Sequence, residues 1–314
     1  MSNSLEQLLP GQITSESDKI AAYSRDASIF EVQPNTVAKP ANVEEVQKLV
    51  KFVAENKATN PELSLTARAA GSDMSGGPLN DSVIIDFGNF NKIGEINNGL
   101  IVTEPGVYYR DFEKTTLNKG WLLPSYPASK EICALGGMVA NNSGGEKSLK
   151  YGKTDKYVDE LNVILADGEE YALKSLTPQE LEQKKSQANF EGEIYRKMHE
   201  LLEQNYDLIQ NARPKVSKNS AGYALWNIWN RKKFDLTQLF TGSQGTLGLI
   251  TKIKLKLIKP ARFSKMLVIF LKDLKPLADL VGLVMESHPE SFESYDRYTL
   301  KLAMRFMPEI IRKM

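Results

Sequence analysis

Three stretches dense in small residues punctuate the chain: AAGSDMSGG at residues 69–77, GGMVANNSGG at 136–145 and TGSQGTLG at 241–248. Each lies beside short apolar runs of the kind that form strands. Glycines clustered in this way expose consecutive backbone N–H groups and let the main chain approach an anion closely, forming nests that suit a diphosphate. None of the three reads GxGxxG or GxxxxGK, so neither a Rossmann dinucleotide site nor a P-loop is what they encode. One such loop alone could be a simple turn; three flanking short strands point to a shared role.

The segments between the loops have readable periods. Around residues 37–55 the pattern gives a short strand, a proline and then a helix opened by Asn42 with Glu45 three positions on, and Val43, Val46, Leu49, Val50 and Val53 form its apolar stripe. Residues 63–68 and 83–85 read as strands separated by the first glycine-rich loop, a β-α-β-loop-β unit. A strand at 100–103, a Pro105-Gly106 turn and a helix from about Tyr108 to Gly120 follow. Residues 121–156 have no period and are rich in Gly, Asn, Ser and Pro, which is uncommon inside a compact domain unless the segment is functional. Asp167-Gly168 between the apolar runs 161–166 and 169–173 predicts a tight hairpin. Residues 177–212 read as helical, with Ile194, Met198, Leu201, Leu202 and Leu208 as apolar positions; 249–258 alternates as a strand. Beyond Pro260, residues 265–271 read as a strand and 276–287 as a helix.

Composition narrows the function classes. At 314 residues the chain should hold about two domains. A net charge of +1 gives no electrostatic footprint for nucleic acid, so none is expected as a partner. The single cysteine, Cys133, excludes an internal disulfide framework and fits a reducing compartment, so a cytoplasmic location is expected. Only His199 and His288 are present, without metal-ligand spacing, so no metal site is expected. The first residues lack the basic start and apolar run of a secretion signal, and no apolar stretch approaches the length of a membrane span. The basic amphipathic tail, residues 297–314, reads as a helix with a solvated face; peripheral membrane contact is the alternative.

The run PASKEICALGGMVANNSGGEKSLKYGKTDKYVDELNVILADGEE resembles the second half of the FAD-binding domain of vanillyl-alcohol oxidase and p-cresol methylhydroxylase type flavoproteins. ARAAGSDMSGGPLNDSVIIDF resembles that family's first pyrophosphate loop, FTGSQGTLGLITKIKLKL its closing glycine motif and strand, and AAYSRDAS its opening. The branch most similar contains D-lactate dehydrogenases, the glycolate oxidase flavin subunit and D-2-hydroxyglutarate dehydrogenases. The enolpyruvyl reductases of cell-wall synthesis share the domain, but LNVILADGEE and GSQGTLGLIT match the hydroxyacid branch better.

The fold that the resemblance implies is α+β: a two-subdomain FAD-binding domain of the p-cresol methylhydroxylase type at residues 1–92 and 93–260, then the start of an α+β substrate (cap) domain at 261–314. The implied cofactor is FAD. Gly71, Ser72, Asp73, Met74 and Ser75 would hold its pyrophosphate through main-chain amides, with Ala69 and Ala70 leading into the loop. Gly136, Gly137, Ala140, Asn141, Asn142, Gly144 and Gly145 would line the pyrophosphate and flavin. Tyr151, Gly152 and Ile250 would sit near the isoalloxazine or adenine ends, and Pro124, Ser129, Ile132 and Cys133 would follow the cofactor as a backbone wall; the alternative for Cys133 is a small buried filler.

Two departures matter. Where the family usually reads Arg-Gly-Gly, this chain has Arg68-Ala69-Ala70, so those positions must accommodate a Cβ. Asp73 would repel a pyrophosphate unless it turns away or hydrogen-bonds its own loop. No histidine occupies the first loop, so the FAD is expected to be non-covalent.

KNSAGY at 218–223 resembles a KN-x-x-GY stretch of the same branch, and Lys218 is a candidate contact for a substrate carboxylate, a solvated surface lysine being the alternative. The implied activity is oxidation of a small D-2-hydroxy acid, with a quinone, an electron-transfer protein or oxygen as electron acceptor. The branch's proton-accepting histidines belong to a C-terminal part that the sequence is expected not to reach, and neither His199 nor His288 matches their motif. The alternative is therefore a flavin-binding module that needs a partner subunit or a further segment to complete a catalytic site.

Overall fold

The apolar run at residues 83–85 becomes the buried centre of the first sheet, with Val83, Ile84 and Ile85 all fully buried. The computed structural model describes residues 2–216 and 218–309. Strands β1 (Ile13–Thr14), β2 (Thr36–Ala38), β3 (Leu65–Arg68) and β4 (Val83–Asp86) form a four-stranded sheet in the order β1-β2-β4-β3. β4 pairs in parallel with both β2 and β3, whereas β1 joins β2 antiparallel. A strand covered on both faces reads as continuous apolar sequence rather than alternation, which is why VIID carries no period of two.

Parallel strands of one sheet need a crossover, and the helix Val43–Asn56 supplies it between β2 and β3, which flank β4. Asn42 caps this helix by accepting the Glu45 N–H at 3.0 Å, while Glu45 reaches back to the N–H of Ala41 at 2.6 Å. Val46 and Leu49 on its inner face pack with Leu5 and Leu9 of the N-terminal helical segment, a helix absent from the sequence reading.

β5 (Ile93–Asn97), β6 (Leu100–Thr103), β7 (Val158–Ile164), β8 (Glu170–Leu176), β9 (Phe234–Asp235) and β10 (Leu249–Lys256) make a six-stranded antiparallel sheet in the order β5-β6-β10-β7-β8-β9. The Asp167-Gly168 hairpin joins β7 to β8, with Gly168 at φ +78°. β10 alternates between buried and more exposed positions along its whole length and lies between β6 and β7. Helices Tyr109–Asn118, Pro178–Lys185 and Phe190–Gln204 contribute Phe112, Leu181, Tyr195 and Leu202 to the core beneath this sheet. Ile164 and Leu249 pack instead into the core of the first sheet, so the two sheets share a hydrophobic seam.

The helical reading of 177–212 resolves into three helices, with breaks near residues 186–189 and at Asn205. The aperiodic segment 121–156 holds two short α-helices, Leu135–Ala140 and Ser148–Tyr151, and a 3-10 turn at Thr154–Lys156. The strand expected at 265–271 does not form: the segment is irregular, and Met266, Leu267 and Phe270 are exposed. A strand needs a partner ladder, and none lies beside it among the described residues. Helices Leu277–Met285 and Arg297–Phe306 follow, the second starting where the basic tail helix was expected. Residues 310–314 of that tail lie outside the described residues.

Candidate functional site

The helix Leu135–Ala140 is the hub on which the three glycine-rich loops meet. Its first turn is set from outside: Leu135 donates to the Val107 carbonyl at 2.9 Å and Gly136 to that of Pro105 at 2.8 Å. A Cβ on Gly136 would lie 2.6 Å from Pro105 Cβ and 2.9 Å from its carbonyl oxygen, so this glycine serves close packing. Gly137, one residue on, would meet only the Ala69 Cβ at 3.9 Å. That contact brings the first loop beside the start of the hub helix.

The third loop is laced to the end of the same helix by two backbone bonds, Gly242 to Val139 at 2.9 Å and Gln244 to Ala140 at 2.8 Å. Gln244 Nε2 also donates to Asn141 Oδ1 at 2.8 Å, and its Oε1 lies 3.0 Å from where a Gly77 Cβ would stand. One side chain thus touches both other loops. Asn142, at φ +49°, accepts the Asp155 N–H at 3.0 Å, and Asn141 donates to Ser143 Oγ at 3.1 Å. Both asparagines therefore fix the turn out of the helix.

The first loop is braced by carboxylates. Asp73 Oδ2 accepts the N–H of Gly77 at 2.9 Å, the N–H of Ser75 at 3.3 Å and the Ser75 hydroxyl at 3.0 Å. Asp26 Oδ2 accepts the N–H of Gly76 at 2.9 Å, and Ala27 donates to the Asp73 carbonyl at 2.8 Å. Asp73 thus hydrogen-bonds its own loop. Ala69 and Ala70 both avoid positive φ, whereas Gly71 sits at φ +66° with the Arg68 guanidinium in the space a side chain would need. That guanidinium donates to the carbonyls of Arg25 at 2.7 Å and Tyr23 at 3.2 Å. Burial holds it below the usual arginine range.

What the braces leave open is a row of donors. The N–H groups of Ala70, Gly71, Ser72, Asp73 and Met74 have no partner among the described residues, and neither do those of Gly137 and Gly144. The buried hydroxyls Ser125 Oγ, next to Pro124, and Thr241 Oγ1, next to Gly242, are also unpartnered. Unused donors on converging loops, with open space at Gly137 and Gly245, fit an elongated anionic group such as the diphosphate of FAD.

The other expected residues are distributed around this hub. Pro124 and Cys133 are buried, and burial pushes the Cys133 thiol up to about 11. Ser129 accepts the N–H of Cys133 through its carbonyl at 2.9 Å, and Ile132 is exposed. Gly145 packs on the Tyr126 carbonyl, and Gly152 closes the helix Ser148–Tyr151 at φ +79°. Ile250 is half-buried in β10 opposite Val163. Tyr151 donates its hydroxyl to Glu290 at 2.6 Å, and Lys147 and Lys150 flank the same carboxylate at 3.6 and 3.9 Å. Burial first, then the hydrogen bond to Glu290, raises the Tyr151 phenol to about 12.

Lys218 is exposed on the 218–223 loop. Tyr223 and Thr246 hydroxyls at 2.7 Å tie that loop to the third glycine-rich loop, and Lys153 ties it to the middle one through the Asn219 carbonyl. His199 stands edge-on to Trp229 at 5.2 Å, and His288 follows the helix Leu277–Met285 at φ +50°. Neither histidine belongs to the loop cluster. Asp26, Gln244 and Lys153 are the structural members that the sequence reading did not single out; Asp26 lies in the AAYSRDAS opening, the one local signal pointing to it.

Residues 34–174 match the FAD binding domain family. That match spans under half of the chain and makes this stretch an FAD-binding domain. Its cofactor is FAD. The chain is similar to the D-2-hydroxyglutarate dehydrogenase of Escherichia coli (strain K12), with 28% identity over 296 residues, covering 92% of this chain and 29% of that protein. Similarity to glycolate oxidase subunit GlcD of Bacillus subtilis (strain 168) is 28% over 285 residues, covering 88% of this chain and 49% of the subunit. The chain therefore spans less than half of either relative. A solved structure of alkyldihydroxyacetonephosphate synthase shares the fold, with a TM-score of 0.54 at 20% identity over 80% of this chain and 38% of that one. Among the described residues no helix is long and apolar enough to cross a membrane.

Proposed function

We propose that this FAD-linked chain is the cofactor-holding part of an oxidoreductase that oxidises a small D-2-hydroxy acid, such as D-lactate or glycolate, with FAD bound non-covalently. The observation that carries the reading is the row of backbone N–H groups from Ala70 to Met74, unpartnered among the described residues, in a loop that meets two other glycine-rich loops at one short helix. These donors would receive the diphosphate, and Asp73 and Asp26 keep their loop in the shape that presents them. Because the donors are fixed before the anion arrives, little ordering is left for the binding step. When bound, the flavin supplies a hydride acceptor at its N5. The Tyr223–Thr246 bond would hold the 218–223 loop beside the cofactor, where Lys218 would meet a substrate carboxylate. The similarity to a D-2-hydroxyglutarate dehydrogenase and a glycolate oxidase subunit supports the hydroxy-acid class. The electron acceptor would be a quinone, an electron-transfer protein or oxygen.

A second reading is favoured by the positions of His199 and His288, both outside the loop cluster. In it the chain binds FAD, and a partner subunit or further segment supplies the proton acceptor and the cover over the substrate. Anaerobic addition of D-lactate, glycolate and D-2-hydroxyglutarate to the FAD-loaded chain separates the two. Bleaching of the visible flavin band by any of them supports the oxidoreductase; a flavin that stays oxidised with all three supports the module. A chain that takes up no FAD sinks both.

A further inference from the structure

Lys153 leaves the end of the Ser148–Tyr151 helix and crosses to the 218–223 loop. Its stem lies against the middle glycine-rich loop, since a Cβ on Gly144 would stand 3.0 Å from Lys153 Cγ. Its ammonium donates to the Asn219 carbonyl, and to the Ser220 hydroxyl at 3.4 Å. Both acceptors are neutral, and an ammonium has three N–H groups, so one donor remains. Lys218 adjoins Asn219 in the chain, and among the described residues neither lysine has an ion-pair partner. Two nearby lysines do, Lys147 and Lys150, which both reach Glu290. Burial holds the Lys153 ammonium below the usual lysine range; Asp155 pulls it back up, and Lys218 pushes it further down. A part-buried cation that meets only neutral acceptors, with a second lysine next in the chain to one of them, is an arrangement that an incoming anion stabilises.

We propose that Lys153 and Lys218 form an oxyanion-binding pair at the joint between the middle glycine-rich loop and the 218–223 loop, taking a carboxylate or phosphate group of a bound ligand. The pair deepens the function proposed above and rests on it for the identity of the ligand; the unmatched charge itself does not depend on it. Two sources share this chemistry, the diphosphate of FAD and the carboxylate of a hydroxy acid. The opposing view is that Lys153 is only a strut joining two loops.

The test uses the full chain with Lys153→Gln, which keeps a donor for the Asn219 carbonyl, Lys218→Gln on the exposed side, and the double variant. FAD affinity is read from quenching of flavin fluorescence, inorganic pyrophosphate by calorimetry, and D-lactate or oxalate from their perturbation of the bound flavin's absorbance. Each single variant is expected to weaken one ligand class by about tenfold and the double variant by more. Loss confined to FAD and pyrophosphate identifies a phosphate as the occupant; loss confined to D-lactate or oxalate identifies a carboxylate. Affinities all within about twofold of the parent overturn the pair, and a lowered thermal midpoint with unchanged affinities overturns it in favour of the strut. If the parent takes no FAD, the functional reading fails by itself, and calorimetry with pyrophosphate and with oxalate still decides the pair: binding of either lost in the double variant upholds it, and binding of neither to the parent overturns it.

Discussion

The carboxylate of Asp73 accepts the backbone N–H of Gly77 at 2.9 Å, closing the first glycine-rich loop on itself. A negative charge inside an anion-binding loop is unfavourable in isolation, but here it consumes the N–H groups that would otherwise splay the turn. The amides ahead of it, from Ala70 to Met74, are left for a ligand. Asp73→Ala should weaken FAD binding by about tenfold, because the loop loses three accepted hydrogen bonds, while Asp73→Asn should retain most of the affinity. Fluorescence titration with FAD is the measurement; tighter binding by the alanine variant would mean that charge repulsion outweighs bracing.

Gly136 and Gly137 are neighbours with opposite expected behaviour. A methyl on Gly136 meets the Pro105 backbone and ring, so Gly136→Ala should destabilise the fold by about 1–3 kcal/mol. A methyl on Gly137 meets only Ala69, so Gly137→Ala should leave the urea midpoint nearly unchanged and reduce FAD affinity. Equal loss of stability in both variants would contradict the assignment of one glycine to packing and the other to the ligand.

Glu290 is expected to make the attachment of the C-terminal segment pH-dependent. The Tyr151 hydroxyl, and then Lys147 and Lys150, hold its carboxyl below the usual range against the opposing effect of burial. A carboxylate with a depressed folded-state pKa stabilises fully above its unfolded value of about 4.3, and this contribution is lost as pH falls through the folded value. Protease cleavage within residues 286–296 should therefore accelerate below about pH 4 in the parent. Glu290→Gln should show faster cleavage already at neutral pH and a flatter profile; an unchanged profile would remove the role given to this clasp.

Cys133 should resist thiol reagents in the native state. It is 4% exposed, and burial raises its thiol to about 11, so little thiolate forms near neutral pH. Labelling with a chromogenic disulfide reagent should follow global unfolding across a urea series. Rapid labelling without denaturant would show that the segment 129–134 opens locally.

The sheets were legible wherever a local pattern carried them. Asp167-Gly168 marks its hairpin because the turn demands positive φ, and the alternation of β10 marks a strand with one face in the core. The hub helix Leu135–Ala140 was hidden because two of its six residues are glycines and its start is fixed by Val107 and Pro105, distant in sequence. Residues 265–271 misled for the converse reason: an apolar run states that a strand is possible but not that a partner is present. In the candidate site, the glycine-rich loops were readable from composition. The Asp26 brace was not, since it acts on a backbone group 50 residues away.

The position of β10 between β6 and β7 also governs the order in which the molecule can be completed on the ribosome. Until residues 249–256 have emerged, β6 and β7 each present an unpaired inner edge, and the nascent polypeptide must keep those edges from joining other chains while the residues between β7 and β10 are added. Chaperone dependence should accordingly be greatest in ribosome-stalled products that stop just short of Lys256.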